Sequence, residues 1–288
     1  MTSSLPAPVP TSSRHVSAMD GTRLFITDYL LDGARAGIVI MHGLGEHGGR
    51  YSHVVQFFQS CGLSVRTYDH RGHGQSQGTR GDVPNNEAIL QDAKLVIEDF
   101  ARQIKAVPLL FAHSMGGLFG ARLVLGQLTT LRGLILSSPP LALPMNAGQK
   151  LLLSVLRTVA PGLGVSNGLS LAGLSRDPAV ALAYQNDPLV HGKITARLLL
   201  AMLDAIAFCQ AQAATLTVPT LMVVAGSDKL VDPSGSKSFF PKLPAQLASM
   251  HWYGEAFHEL HNDVNAQQVF ADERAWLLAR GLITSTGG

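Results

Sequence analysis

Short, uninterrupted apolar runs recur along the chain, and each ends in a glycine-rich or polar turn. Gly37–Met41 runs into His42-Gly43-Leu44-Gly45, and Leu63–Tyr68 into Asp69-His70-Arg71-Gly72-His73-Gly74. Val107–Ala112 stops at His113-Ser114, Leu131–Leu136 at Ser137-Ser138-Pro139-Pro140, and Thr220–Ala225 at Gly226-Ser227-Asp228. A last run, Ser249–Tyr253, leads toward His258. Runs of this length suit strands buried on both faces, as in a parallel sheet. Ahead of them, His15–Met19 and Leu24–Tyr29 flank Asp20-Gly21, the signature of a hairpin.

Helical periodicity fills the gaps. Ile89, Leu95, Ile97 and Phe100 share a face within 86–105, Leu118, Ala121, Leu123 and Leu125 follow Ser114, and Val269, Phe270, Trp276 and Leu277 mark a C-terminal helix. Alternating strands and helices predict an α/β fold, a mostly parallel sheet with helices on both faces. The rhythm breaks from 141 to 212, where helical stretches over 149–159, 179–184 and 195–211 predict a helical cap insertion. The expected organisation is a core of 14–140 and 213–283, a cap of 141–212 and a disordered tail of 1–13, rich in Pro, Ser and Thr.

Open α/β sheets bind ligands beyond the carboxyl ends of their strands, where the candidate Ser, Asp and His residues all fall. Ala112-His113-Ser114-Met115-Gly116 differs from G-x-S-x-G only in its first residue. That motif is a strand–turn–helix elbow that lifts a serine nucleophile out of the sheet. Small residues are needed where strand and helix backbones approach, and Gly116 and Gly117 meet that need directly. A hydroxyl attacks an acyl carbon only if a neighbouring base takes its proton. In nucleophile-elbow hydrolases the chain order is Ser, then acid, then His. Asp228 stands nearest the strand end, with Asp232 the competing acid. His258 is the expected base; His251 is expected inside the last strand as a satisfied core residue, and His261 could line the same pocket. The predicted catalytic residues are Ser114, Asp228 and His258, with the Leu44 and Met115 backbone N–H groups as the oxyanion hole. His42 is expected to brace the loop that carries Leu44. The stretch Asp69–Gly74 matches no good metal-ligand spacing and reads as a hydrogen-bonded scaffold loop.

Composition narrows the partners. Of 288 residues, 46% are hydrophobic and 15% charged, for a net charge of +2; the charged share is well under the usual figure of about 25%. No cluster of Lys and Arg points to nucleic acid. Cys61 and Cys209 stand far apart, as reduced thiols do. The N-terminus has no basic segment followed by an apolar one, so no secretory signal is expected, and no run of about 18 apolar residues predicts a membrane span. A cytoplasmic location is expected, with no metal and no organic cofactor.

Four motifs together, His42–Tyr51 (HGLGEHGGRY), Asp69–Gly78 (DHRGHGQSQG), His113–Gly117 (HSMGG) and Phe257–His261 (FHELH), resemble the monoacylglycerol lipase family, serine hydrolases of the α/β-hydrolase fold with a helical cap. Leu174-Ser175-Arg176 and Tyr184–Leu189 are similar to that family's cap. The resemblance covers about 15–280 and maps the triad onto Ser114, Asp228 and His258, with Leu44 and Met115 as oxyanion donors. It implies that Glu46, Arg50 and His261, with Tyr184 nearby, hold the glycerol hydroxyls; a local Glu46–Arg50 ion pair is the alternative. The pocket cysteines of the mammalian members have no counterpart in 187–191 or 228–232. The expected substrate is a monoacylglycerol or similar single-chain ester. Short-chain carboxylesterase and lysophospholipase are the enzymatic alternatives, and a noncatalytic ligand-binding module the alternative of another class. The apolar residues of 151–165 would accept an acyl chain or make transient contact with a lipid surface.

Overall fold

The computed structural model describes residues 8–34 and 36–284. Among the described residues the strands are β1 Ser12–Ser17, β2 Arg23–Tyr29, β3 Gly37–Met41, β4 Ser64–Tyr68, β5 Leu109–His113, β6 Leu134–Ser137, β7 Val165–Ser166, β8 Lys193–Ile194, β9 Thr220–Ala225 and β10 Ala248–Tyr253. The α-helices among them are α1 Ser52–Ser60, α2 Ala88–Ile104, α3 Met115–Leu125, α4 Ala147–Val159, α5 Pro178–Gln185, α6 Ala196–Gln212, α7 Ser234–Phe239 and α8 Ala266–Ala279. The main sheet has the order β1-β2-β4-β3-β5-β6-β9-β10. It is parallel from β4 to β10, while β1–β2 and β2–β4 are antiparallel.

The apolar runs are continuous because both faces of each strand are covered. In β3, Val39 and Met41 enter the core under α2, α3 and α6, while Ile38 and Ile40 enter the core under α1 and α8. Leu110 and Ala112 of β5 follow the first face, Leu109 and Phe111 the second. The helix α1 was not expected, although Val54, Val55 and Phe58 bury a stripe of helical spacing.

Two expectations change. Residues 1–7 lie outside the described residues, but Ser12 and Ser13, expected in a disordered tail, belong to β1 and pair with Asp28 and Thr27. This edge strand buries only Val16, so it shows no apolar alternation, and its pairing comes from backbone and hydroxyl bonds. The segment from 196 to 215 is long and apolar enough by composition to cross a membrane. Here α6 packs against α3, burying Leu198, Ala201, Met202, Ala205 and Cys209 in the same core as Leu118 and Phe119.

Between β6 and β9 the chain forms α4, the short antiparallel β7–β8 ribbon, α5 and α6. Asn146 caps α4 in a reciprocal capping box with Gln149. No residue of α4 is buried.

Candidate active site

The strand β5 ends at His113, and Ser114 takes φ 53° and ψ −123° before α3 begins. A non-glycine residue pays about 1–3 kcal/mol for such a backbone, so surrounding contacts must impose it. The Ser114 N–H donates to Ser137 O at 2.9 Å. A Cβ on Gly116 would stand 2.5 Å from His42 O and 2.6 Å from Met41 O, so only glycine fits beneath β3. Ala112, where the motif has its first glycine, is fully buried. Its methyl points at Gly120, one helical turn beyond Gly116: a Cβ there would lie 3.0 Å from Ala112 Cβ.

Three side chains from different strand ends converge. His258 Nε2 lies 2.9 Å from Ser114 Oγ, and His258 Nδ1 lies 2.7 Å from Asp228 Oδ2. The second Asp228 oxygen accepts the N–H groups of Leu230 and Val231 at 2.8 and 3.0 Å. A carboxylate fixed this way orients the imidazole with Nδ1–H donating, which leaves the Nε2 lone pair toward the serine. Burial opposes a charge on His258, but the Asp228 carboxylate and its hydrogen bond, joined by Glu259 and Glu46, outweigh it and raise the imidazole pKa. Burial pulls the Asp228 pKa upward; His258 and the two N–H bonds overcome this and hold it below the ordinary carboxylate value.

The competing residues go elsewhere. Asp232 accepts the Ser234 N–H. His261 Nε2 donates to Glu273 Oε1 at 2.8 Å. His251 does sit in β10, but its side chain is 41% exposed, 3.9 Å from Asp272, not a buried core residue. It lies on an edge strand, whose outer flank no further strand among the described residues covers.

The loop after β3 is braced from beneath. His42 Nδ1 donates to Gly43 O at 2.7 Å, His42 Nε2 accepts the His70 N–H at 2.9 Å, and His70 Nε2 donates to His42 O at 3.1 Å. Asp69 accepts the N–H groups of Gly48 and Gln75, which makes the stretch from 69 to 76 a scaffold. Leu44, Ser114 and Met115 line one cavity.

A family model described as serine aminopeptidase, S33, matches residues 32–265. A monoacylglycerol lipase of Mycolicibacterium smegmatis is 32% identical over 279 residues, 93% of this chain and 98% of that protein. The chain belongs to the monoacylglycerol lipase family. A phospholipase of Bacillus subtilis is 33% identical over 84% of this chain and 94% of its own length. The solved structure of a Paleococcus ferrophilus monoacylglycerol lipase superposes with a TM-score of 0.81 at 30% identity, covering 89% of this chain and 99% of that one.

In this member of the monoacylglycerol lipase family, Glu46 is saturated by protein groups. Its Oε1 accepts the Gly43 N–H at 2.6 Å and the Tyr51 hydroxyl at 2.8 Å, and its Oε2 accepts from Arg50 at 2.6 Å. Arg50 also grips Glu259 through two bonds of 2.7 and 2.9 Å and lies over the Tyr184 ring at 4.7 Å. Thus the Glu46–Arg50 ion pair forms, and it extends to the residue beside His258. Glu259 had no visible role in the sequence; its only signal was adjacency to the expected base.

Two cavities reach Ser114. The larger, about 390 Å³, is walled by Leu44, Leu152, Leu156, Leu199, Met202 and Val231. The smaller, about 20 Å³, is walled by Glu46, Leu174, Tyr184, His258 and Glu259. Arg50 and His261 do not line either; they line an adjoining hollow of about 10 Å³. For His261 the reason is Glu273, whose buried carboxylate holds its ring between Phe111 and Phe270. The segment between β6 and β9 is tied to the loops after β3 and β10. His47 Nε2 bonds Asp187 at 2.8 Å and the His191 N–H donates to Gly45 O at 2.8 Å, while the Glu259 N–H donates to Leu174 O at 2.8 Å.

Proposed function

We propose that the chain is a serine carboxylic-ester hydrolase acting on monoacylglycerols or similar single-chain acyl esters. The observation that carries this is the Ser114–His258–Asp228 relay, with contacts of 2.9 and 2.7 Å, at the mouth of an apolar cavity of about 390 Å³. With Ser12 and Ser13 joined to it through β1, the hydrolase core in this reading is 12–140 and 213–283, and 141–212 is the cap.

The acyl chain lies in the large cavity with its carbonyl carbon at Ser114. Ser114 Oγ attacks as its proton passes to His258 Nε2, and Asp228 stabilises the resulting imidazolium. The Leu44 and Met115 N–H groups receive the oxyanion, with the positive end of α3 behind them. His258 returns the proton to the alcohol oxygen as the ester C–O bond breaks. Water, deprotonated by His258, then attacks the acyl-enzyme, releasing the acid and restoring Ser114.

Glu46 and Tyr184 belong to the alcohol side, where they line a cavity of about 20 Å³ that also reaches Ser114. Arg50 and His261 act behind them, by holding carboxylates in place. The Bacillus subtilis relative named as a phospholipase raises a second reading, a phosphate-bearing alcohol. The alcohol side disfavours it, because Glu46 and Glu259 line that cavity and the nearby cation, Arg50, is already shared between them.

A fluorophosphonate probe should label the chain at Ser114 and leave Ser114→Ala unlabelled. In an ester series at fixed pH, a rate peak at acyl chains of two to four carbons would sink the lipase reading. Faster turnover of a lysophospholipid than of the matching monoacylglycerol would favour the second reading instead.

A further inference from the structure

The helix α4 presents three faces, one of them turned toward the acyl cavity. Leu156 lines that cavity, and Leu152, 56% exposed, stands at its rim. Leu151, Val155 and Val159 face outward, at 68%, 49% and 76% exposure. The third face carries Lys150, Ser154 and Arg157, and it borders a groove of about 550 Å³ between α4 and α6. The groove's apolar walls are Leu143, Met145, Leu153, Leu200 and Leu203. Its only charged lining groups are Lys150 and Arg157, one at each end of two helical turns. Neither side chain meets a hydrogen-bonding or ionic partner among the described residues. Leu143, Met145 and Leu153 also wall the acyl cavity, so the two spaces share a partition.

An apolar trough with unpaired cations and no carboxylate fits an amphiphile with an anionic head. Snorkelling cations over apolar walls can meet a carboxylate while the chain lies on leucine. We propose that this groove is a second ligand site, one that takes the long-chain carboxylate anion released by ester hydrolysis. The neutral ester has no charge for Lys150 and Arg157 to meet; the product acid gains one on release. The identity of the ligand as product rests on the hydrolase reading, but the site itself does not.

The test seals the acyl cavity first. The full chain is reacted with a long-chain alkyl fluorophosphonate, and mass spectrometry verifies one adduct at Ser114. Equilibrium dialysis then measures binding of radiolabelled laurate below its micelle concentration. One laurate per sealed chain is expected, with methyl laurate failing to compete. Lys150→Glu/Arg157→Glu should weaken laurate binding about tenfold, while hydrolysis of p-nitrophenyl butyrate by the unsealed variant stays at the parent rate and shows that it folds. No laurate on the sealed chain, binding unchanged by charge reversal, or equal competition by methyl laurate would overturn the site. So would charge reversal that spares laurate but abolishes attachment to anionic vesicles, which would make the cations a membrane contact. Absence of an adduct would instead count against the hydrolase reading, and the laurate arm is then run on Ser114→Ala.

Discussion

The methyl of Ala112 is accommodated by the missing side chain of Gly120: a Cβ on Gly120 would come within 3.0 Å of Ala112 Cβ. The elbow therefore tolerates a larger first residue because the facing helix has given up one of its own. Ala112→Gly should leave hydrolysis largely intact, and Ala112→Val should cripple it by forcing β5 and α3 apart. Gly120→Ala should cost about 1–3 kcal/mol through overpacking, measured by urea unfolding. The pair Ala112→Gly/Gly120→Ala should recover most of that loss. A double variant no better than the sum of the singles would disprove the compensation.

The Asp228–His258 contact should set the acid limb of activity. The imidazole must be neutral to take the Ser114 proton, and its pKa is raised in the folded chain. Activity should thus be lost as pH falls through a value above 6.5, the ordinary histidine figure, read from kcat/KM in the free enzyme. Asp228→Asn should lower kcat by about 10⁴ by removing the group that holds the tautomer, with little change in fold by circular dichroism.

Arg50 ties the loop after β3 to the loop that carries His258. Arg50→Met would leave Glu46 and Glu259 buried without their shared cation. A loss of about 3–5 kcal/mol in stability is expected, visible as an early unfolding transition. Glu46→Gln keeps the acceptor for the Gly43 N–H but removes a negative charge that favours the His258 imidazolium. Its acid limb should shift to lower pH; an unmoved limb would mean that Glu46 does not act on His258 through charge.

Buried histidines should make the chain sensitive to acid. Burial lowers the pKa of His42, His70, His73 and His113, and pushes His70, with His53 and His191, to about 4. The unfolded chain binds protons below its ordinary histidine pKa of about 6.5 while these folded sites do not. Their contribution is therefore complete above that pH and is lost on acidification toward about 4, by about 1.4 kcal/mol per pH unit for each such histidine. His258 has the opposite sign but is one group against several. The melting temperature should fall between pH 7 and pH 5; a flat profile would show that these rings protonate in place.

Chain-length preference should respond to the inner face of α4. Leu156→Trp narrows the apolar cavity, so long-chain esters should lose rate while butyrate esters change little. An equal loss for both would place the acyl chain elsewhere.

Local pattern determined much of this protein. Continuous apolar runs identified the buried parallel strands because both strand faces are covered, and strand ends announced Ser114, Asp228 and His258 because the sheet's carboxyl edge is where they stop. Hydrogen-bonding glycine turns after β3 and β4 were legible for the same reason. What the sequence could not carry were relationships across the fold. Arg50 and Glu259 are separated by 209 positions and meet only because β3 and β10 place their loops at one edge. His261 carries the family spacing, yet Glu273 on α8 turns it away from the cavities at Ser114. Gly120 looked like one more small residue in a helix until β5 was packed against it. Side-chain type and spacing act through the backbone and are local, whereas these contacts depend on which elements the hydrophobic core presses together. Only the packed structure decides that.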